Sequence, residues 1–477
     1  MVGRISGLVV TLVLAAVAAN AEPLFQPIAG ASVDVPIAYA VETIRARAVL
    51  AAPELVAKGE PVELNLFSDA AFTFTARRAT RYDAVPGAVA YRGTLADNEG
   101  DAVLVVRDGN VTGAVFSPRG VFRVIPLRDA THAIVEIDQS IYPECATEID
   151  GYSPDDFEEG TGGEIAVTED PEGEIIDVMV VYTQKAAAAI ADIQAEIVAG
   201  FEITNLSYEN SDILQRVRLA HTEETDYPET GLISIDLFLL NFPIDFVMDN
   251  VHALRDQYFA DLVSLWVSDG GTACGVANIM SRESSFYSIL GFNVVDLSCA
   301  VGNLTFAHEM GHNMGARHDN YVDGTQNRPH PWNHGFVYLP DRWRTVMAYN
   351  SECSDNGFNC TRLPNWSNPN ILKDGVPMGV QDSIDNARTL NLTAPIVAAY
   401  RESSTTVPST TTTTTTTDAS QDDDADDDAD DDADDDTDWN APDDDAEDDD
   451  TVPAENDDDD ADDDFSWIDD DASGRRR

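Results

Sequence analysis

The stretch from His308 to Asp319, HEMGHNMGARHD in one-letter code, limits what this chain can fold into more than any other feature. His308 and His312 are four residues apart, so on a helix both imidazoles project from one face toward one ion. Glu309 lies beside them, placed to contact water rather than the ion. Gly315 lets the helix stop and the chain turn sharply, in a positive-φ conformation that costs any residue with a β-carbon. The turn returns His318 as a third nitrogen ligand. Three neutral imidazoles, each at about 2.0–2.1 Å, leave an open position for water, which suits a catalytic zinc ion rather than a structural one. The competing reading is an amphipathic helix with solvent-facing histidines. Each further fixed position, Gly315 and then His318, cuts chance matches roughly twentyfold. Three of the chain's 8 histidines fall in this one stretch.

The chain has 477 residues, which predicts two folded units plus tails. Residues 1–21 read as a signal peptide: Arg4 supplies the positive start, Leu8 to Ala19 an apolar core, and Ala19-Asn20-Ala21 a small-x-small cleavage site. The protein is therefore expected outside the cytoplasm, as a secreted, extracellular or cell-surface species with no integral membrane segment. Residues 22–172 read as a β-rich unit. Val62 to Leu66, Ala71 to Thr75, Ala102 to Val106 and Val121 to Ile125 are strand-like runs, separated by turn signals such as Asp108-Gly109-Asn110. Tyr152 to Glu174 is rich in Asp, Glu and Gly and reads as an exposed linker open to proteolysis.

A different rhythm starts at Ile175. Ile176 to Tyr182 is a near-continuous apolar run, as in a strand buried on both faces. It is followed by an Ala-rich helix from Lys185 to about Tyr208, a strand near Leu214 to Leu219, a helix around Phe246 to Tyr258, a strand at Leu262 to Val267, and the motif helix from about Val301 to Gly315. This alternation predicts an α/β domain over 173–402. Residues 403–477 hold a Thr run and Asp-Asp-Asp-Ala repeats that cannot bury enough surface to offset their ordering entropy.

The formal net charge is -59, and roughly half of it lies from Asp418 onward. Such a balance argues against nucleic acid as a partner, since phosphate binding needs clustered Lys and Arg. Lysine occurs only at Lys58, Lys185 and Lys373, which fits either a salty environment or a genome that replaces Lys with Arg.

The spacing HExxHxxGxxH followed by Thr345-Val346-Met347-Ala348-Tyr349 resembles the metzincin clan of zinc endopeptidases. Asp319, after the third His, resembles the reprolysin branch. Five stretches besides the one at His308 are similar to the bacterial reprolysin-like group that includes peptidyl-Asp metallopeptidases. They are IDVMVVYT at Ile176, CGVA at Cys274, TVMAY at Thr345, NWSNPN at Asn365 and DNARTLN at Asp385. The resemblance spans most of Ile175 to Arg401. It implies an α/β catalytic domain with a twisted mixed sheet, an active-site helix and a smaller lower subdomain. It also implies one catalytic Zn2+, held by His308, His312 and His318 with Glu309 as catalytic base, and leaves room for a structural Ca2+. Met347 would form an apolar floor under the ligands, and Asp319 would orient the lower subdomain. Tyr349 stands where related enzymes have a transition-state contact, though it could equally pack. Protein or peptide substrates follow, and cutting before Asp would need a cationic pocket. Arg342 or Arg344 could supply it, although on sequence alone they read rather as exposed charges. The oligomeric state is not legible.

The cysteines are Cys145, Cys274, Cys299, Cys353 and Cys360. Pairing within the local sets Cys274/Cys299 and Cys353/Cys360 is the simplest of three connectivities for those four. An odd count leaves Cys145 over. The resemblance implies an inactive precursor in which a propeptide thiolate sits on zinc, and Cys145 is the candidate ligand, at the end of a β-rich propeptide. The alternative is a buried or intermolecular cysteine, and Tyr142-Pro143-Glu144-Cys145 departs from the animal switch motif. A rival function is a non-enzymatic acidic surface protein that binds cations. The tail lacks the spaced Gly of known calcium loops.

Overall fold

The computed structural model describes residues 21–30, 33, 35–146, 173–326 and 328–401. The signal peptide (except Ala21), most of the acidic linker and the Thr-Asp tail lie outside these residues.

The N-terminal strands are β1 (Glu22–Pro23), β2 (Phe25–Pro27), β3 (Thr43–Ala51), β4 (Val62–Phe67), β5 (Ala70–Arg81), β6 (Val89–Leu95), β7 (Asp101–Arg107), β8 (Asn110–Ser117), β9 (Gly120–Pro126) and β10 (His132–Ile137). They form one sheet in the order β1-β4-β5-β6-β7-β8-β9-β10-β3-β2. The sheet is larger than the sequence suggests. Its ends are β1 and β2, which are separated only by Leu24, so the segment Glu22–Pro27 joins both edges. The inner face buries Leu64, Leu66, Phe72, Phe74, Leu104 and Phe122. The outer residues Val103, Val105, Ala114 and Phe116 are buried as well, in a core shared with the second half of the chain. β8 and β9 are accordingly buried along almost their whole length, polar Thr112 and Arg123 included.

The second sheet contains β11 (Ile175–Thr183), β12 (Arg216–Thr225), β13 (Leu262–Val267), β14 (Gly275–Ala277) and β15 (Phe292–Asp296) in the order β12-β11-β13-β15-β14. All neighbours are parallel except β14, an antiparallel edge strand. The expected Ala-rich helix is two helices, Gln184–Ala189 and Ile193–Glu209. Ile190 is extended between them, and the side chains of Thr183 and Asp192 each cap a new start. The helix Ile233–Asn241 carries no sequence signal that anticipated it, because Ile235 and Phe238 point to solvent and blur its apolar stripe.

The long helix Ile193–Glu209 is buried on nearly every side, since it lies between the two sheets. Its carboxylates meet arginines of the N-terminal sheet. Arg123 binds Glu196 through one nitrogen at 2.7 and 2.8 Å, Arg92 bridges Glu202 at 2.9 Å and Glu209 at 2.7 Å, and Arg107 binds Asp192 at 2.8 Å. No helix among the described residues is long and apolar enough to cross a membrane.

Candidate active site

The motif helix is Thr305–Asn313. It ends as the sequence predicts: Gly315 has φ +89°, its N–H donates to His312 O, and Ala316 N–H donates to Gly311 O. This closing motif reverses the chain and brings His318 back over the helix.

The three imidazoles converge. The Nε2 atoms of His308 and His312 are 3.1 Å apart, those of His312 and His318 3.0 Å, and those of His308 and His318 3.2 Å. His308 Nδ1 lies 2.9 Å from Val346 O and His312 Nδ1 2.9 Å from Ala316 O. A carbonyl oxygen only accepts, so each Nδ1 carries the proton and each Nε2 is left as a bare lone pair. Burial holds all three imidazoles neutral, pushing His312 down to about 3 and His308 and His318 well below their ordinary range. Lone pairs packed this closely repel unless a cation lies among them. Nitrogens at about 2.0–2.1 Å from one tetrahedral zinc would stand roughly 3.3 Å apart. The donor set therefore fits zinc in spacing and charge state, and at His308 and His312 in tautomer as well. Among the described residues no calcium site corresponds to the one the resemblance leaves room for.

Cys145 joins this cluster. Its sulfur lies 3.1 Å from His318 Nε2 and 3.7 Å from His312 Nε2, and all four ligating atoms fall within 4.8 Å of one another. Tyr349 closes the group, with its hydroxyl 2.8 Å from the Cys145 sulfur and donating to Cys145 O at 3.1 Å. Burial, then the neighbouring Cys145, push the Tyr349 hydroxyl far up, so it stays protonated. Asp319 accepts from Tyr349 N at 2.8 Å and from Tyr321 N at 3.0 Å, tying the segment after the third histidine to the one carrying Met347.

Glu309 is fully buried, and β14 runs against it so closely that a β-carbon on Gly275 would collide with its carboxylate. Met347 is also buried. A β-carbon on Gly311, between His308 and His312 on the helix, would stand 2.9 Å from the Met347 sulfur and 2.7 Å from the Trp366 ring. Both side chains thus pack directly on the motif helix. The disulfides Cys274–Cys299 and Cys353–Cys360 follow the local pairing, and Cys145 stands outside both.

One expectation is overturned. Arg344 is not exposed: it is 1% accessible, and together with Arg362 it faces Glu144. Arg342, the other candidate, stacks over Phe358 at 4.7 Å. Trp366, Arg362, Gly275 and Glu144 escaped the sequence reading. Signals existed for three of them: Gly275 and Trp366 lie in the CGVA and NWSNPN stretches, and Glu144 is the neighbour of Cys145.

The profile of metallo-peptidase family M12 matches residues 173–366, which include the whole cluster apart from Cys145. The chain is 35% identical over 318 residues to a peptidyl-Asp metalloendopeptidase of Stenotrophomonas maltophilia strain R551-3, covering 64% of this chain and 72% of that protein. It is 33% identical over 305 residues to one from Xanthomonas campestris pv. campestris, covering 63% and 70%. With that likeness running through the stretch that gathers three converging imidazole nitrogens, the chain belongs to the M12 metallopeptidase family and is a zinc metalloendopeptidase.

Proposed function

We propose that this endopeptidase is secreted as a latent precursor, with a signal peptide over 1–21, a propeptide over 22–172, a catalytic domain over 173–402 and a dispensable tail over 403–477. The observation that carries the latency is the Cys145 sulfur, 3.1 Å from His318 Nε2. Its thiolate would fill the position that a catalytic zinc keeps open for water. Four arginine–carboxylate contacts to the helix Ile193–Glu209 and its cap Asp192, two of them fully buried, hold the N-terminal sheet in place meanwhile.

His308, His312 and His318 would hold the ion. When bound, zinc supplies a Lewis acid that activates water near neutral pH and polarises the scissile carbonyl. Glu309 takes the proton of the attacking water and passes it to the leaving amine. Its burial against β14 fixes its direction. Once Cys145 departs, the Tyr349 hydroxyl faces the space the sulfur occupied and donates to the carbonyl oxygen as negative charge grows there. The relatives are named for peptidyl-Asp cleavage, and we carry that preference over to this chain.

Two variants test the reading. Glu309→Gln should retain one zinc per chain and lose hydrolysis by about a hundredfold or more. Near-normal turnover would remove Glu309 from its role. Cys145→Ser should yield full-length protein that is active before processing. N-terminal sequencing of the wild-type active form should place its start between residues 147 and 173. Equal activity of the intact precursor with and without the thiol would end the latency idea.

A further inference from the structure

Two buried arginines face one carboxylate beside this site. Glu144 Oε1 accepts from Asn350 N at 2.6 Å, while Oε2 accepts from Arg362 Nη2 at 3.1 Å and lies 3.7 Å from Arg344 Nη1. The arginine side chains are 1% and 3% accessible. Their remaining contacts are backbone carbonyls: Arg362 donates to Asn303 O and Ala348 O, and Arg344 to Cys360 O and Ala348 O. Among the described residues Glu144 is their one ion-pair partner. The next carboxylate in range, Asp319, already accepts from the amides of Tyr321 and Tyr349. Burial and the neighbouring Arg362 push Arg344 down to about 9, the mark of a guanidinium short of compensating charge.

The segment that brings Glu144 is seated beside the edge strand β14. Glu144 O accepts from Cys274 N at 3.2 Å, and Ala146 N donates to Gly275 O at 2.8 Å, on either side of Cys145. Backbone pairing at a sheet edge with side chains in flanking pockets is a common way to hold an extended peptide. The Cys353–Cys360 disulfide frames the far wall, since Cys360 supplies both the carbonyl on Arg344 and an amide to Asn350 Oδ1.

We propose that Arg344 and Arg362, with the Asn350 amide, form the subsite that receives an acidic side chain next to the cleaved bond, and that Glu144 occupies it in the latent form as the chain's own substitute for substrate. The assignment rests on the zinc endopeptidase reading above. Removing Glu144 with the propeptide leaves two adjacent guanidinium charges without their carboxylate, which is costly until another carboxylate arrives. Only a substrate with an acidic residue at that position supplies one. An amide of the same shape leaves the charges unmet, so discrimination comes from the unpaired site rather than from pocket size.

The test uses active enzyme released from the full chain and peptide pairs that differ by Asp or Asn at one position beside the cleaved bond. The wild type should favour the Asp peptide by about 30-fold or more in kcat/KM, and in Arg362→Met the ratio should fall below about 3. A wild-type ratio near one, with both peptides cut, overturns the subsite and leaves the endopeptidase standing. Failure to cut either peptide or casein overturns the endopeptidase reading itself. A second arm needs no arginine variant to fold. In full-length Glu309→Gln protein, which does not process itself, adding Glu144→Gln should speed thiol labelling of Cys145 about tenfold or more. An unchanged labelling rate would overturn the role of Glu144 as occupant.

Discussion

At the scale of single residues, the site depends on missing side chains as much as on present ones. Gly311→Ala would drive a β-carbon to 2.7 Å from Trp366 and 2.9 Å from the Met347 sulfur. Overpacking of this kind costs about 1–3 kcal/mol, so the variant should show a lower urea midpoint and weaker zinc retention. Gly275→Ala instead places its β-carbon on the Glu309 carboxylate. There we expect activity to fall on the order of a hundredfold while the unfolding midpoint moves little; equal losses of both would argue that Gly275 serves only the fold. The histidines, Glu309 and Gly315 were legible because their geometry is local: four residues on a helix, then one left-handed turn. Gly311 was not, because it occupies a position the motif leaves open, and its reason lies in Trp366, more than fifty residues away in sequence. Arg362 likewise acquires meaning only when the chain returns it beside Glu144.

At the scale of elements, the junction between the N-terminal sheet and the helix Ile193–Glu209 is polar, and buried at the Arg123–Glu196 and Arg92–Glu202 pairs. Arg123→Met would leave Glu196 buried without its partner, a loss of about 3–5 kcal/mol. Thiol labelling of Cys145 should quicken with it, and unaltered labelling would place the latch elsewhere. His132 adds a dependence on pH. It is buried, its Nε2 accepts from Val111 N, and burial lowers it from 6.5 to about 4. The unfolded chain binds that proton first, so its contribution is complete above about 6.5 and fades as the pH falls toward 4, in total on the order of 3 kcal/mol. Glu42, raised to about 7 mainly by burial, works in the opposite direction. Urea unfolding of wild type and His132→Gln at pH 7.5 and 4.5 separates them: the wild type should lose more on acidification than the variant. Strand positions were readable from alternation and turn residues. The break at Ile190 and the helix Ile233–Asn241 were not, since a cap inside an Ala-rich run and an apolar face left in solvent both defeat periodicity.

For the whole molecule, the described chain closes with Tyr400 buried and Arg401 bound to Asp256 at 2.7 Å and, through its amide, to Asp261. Truncation after residue 402 should leave the unfolding midpoint and casein hydrolysis unchanged; a shifted midpoint would give the tail a structural part. An enzyme that selects Asp should also shorten its own Asp-rich end. Intact mass after incubation should show that loss in the wild type and not in Glu309→Gln, with cuts before Asp. The two-faced burial of the N-terminal sheet has one more consequence. Its outer face is matched to the helix Ile193–Glu209 by arginine–carboxylate contacts that a cut between residues 147 and 172 leaves intact. While the two halves share one chain, the N-terminal half, the inhibitor in the proposal above, is held at a fixed local concentration on the order of millimolar, whatever the volume around it. After the cut the same contacts become an ordinary bimolecular equilibrium. Under the proposed latency, activity then depends on dilution: nicked protein kept concentrated should stay quiet, and the same protein spread into a larger volume should wake without any further chemistry.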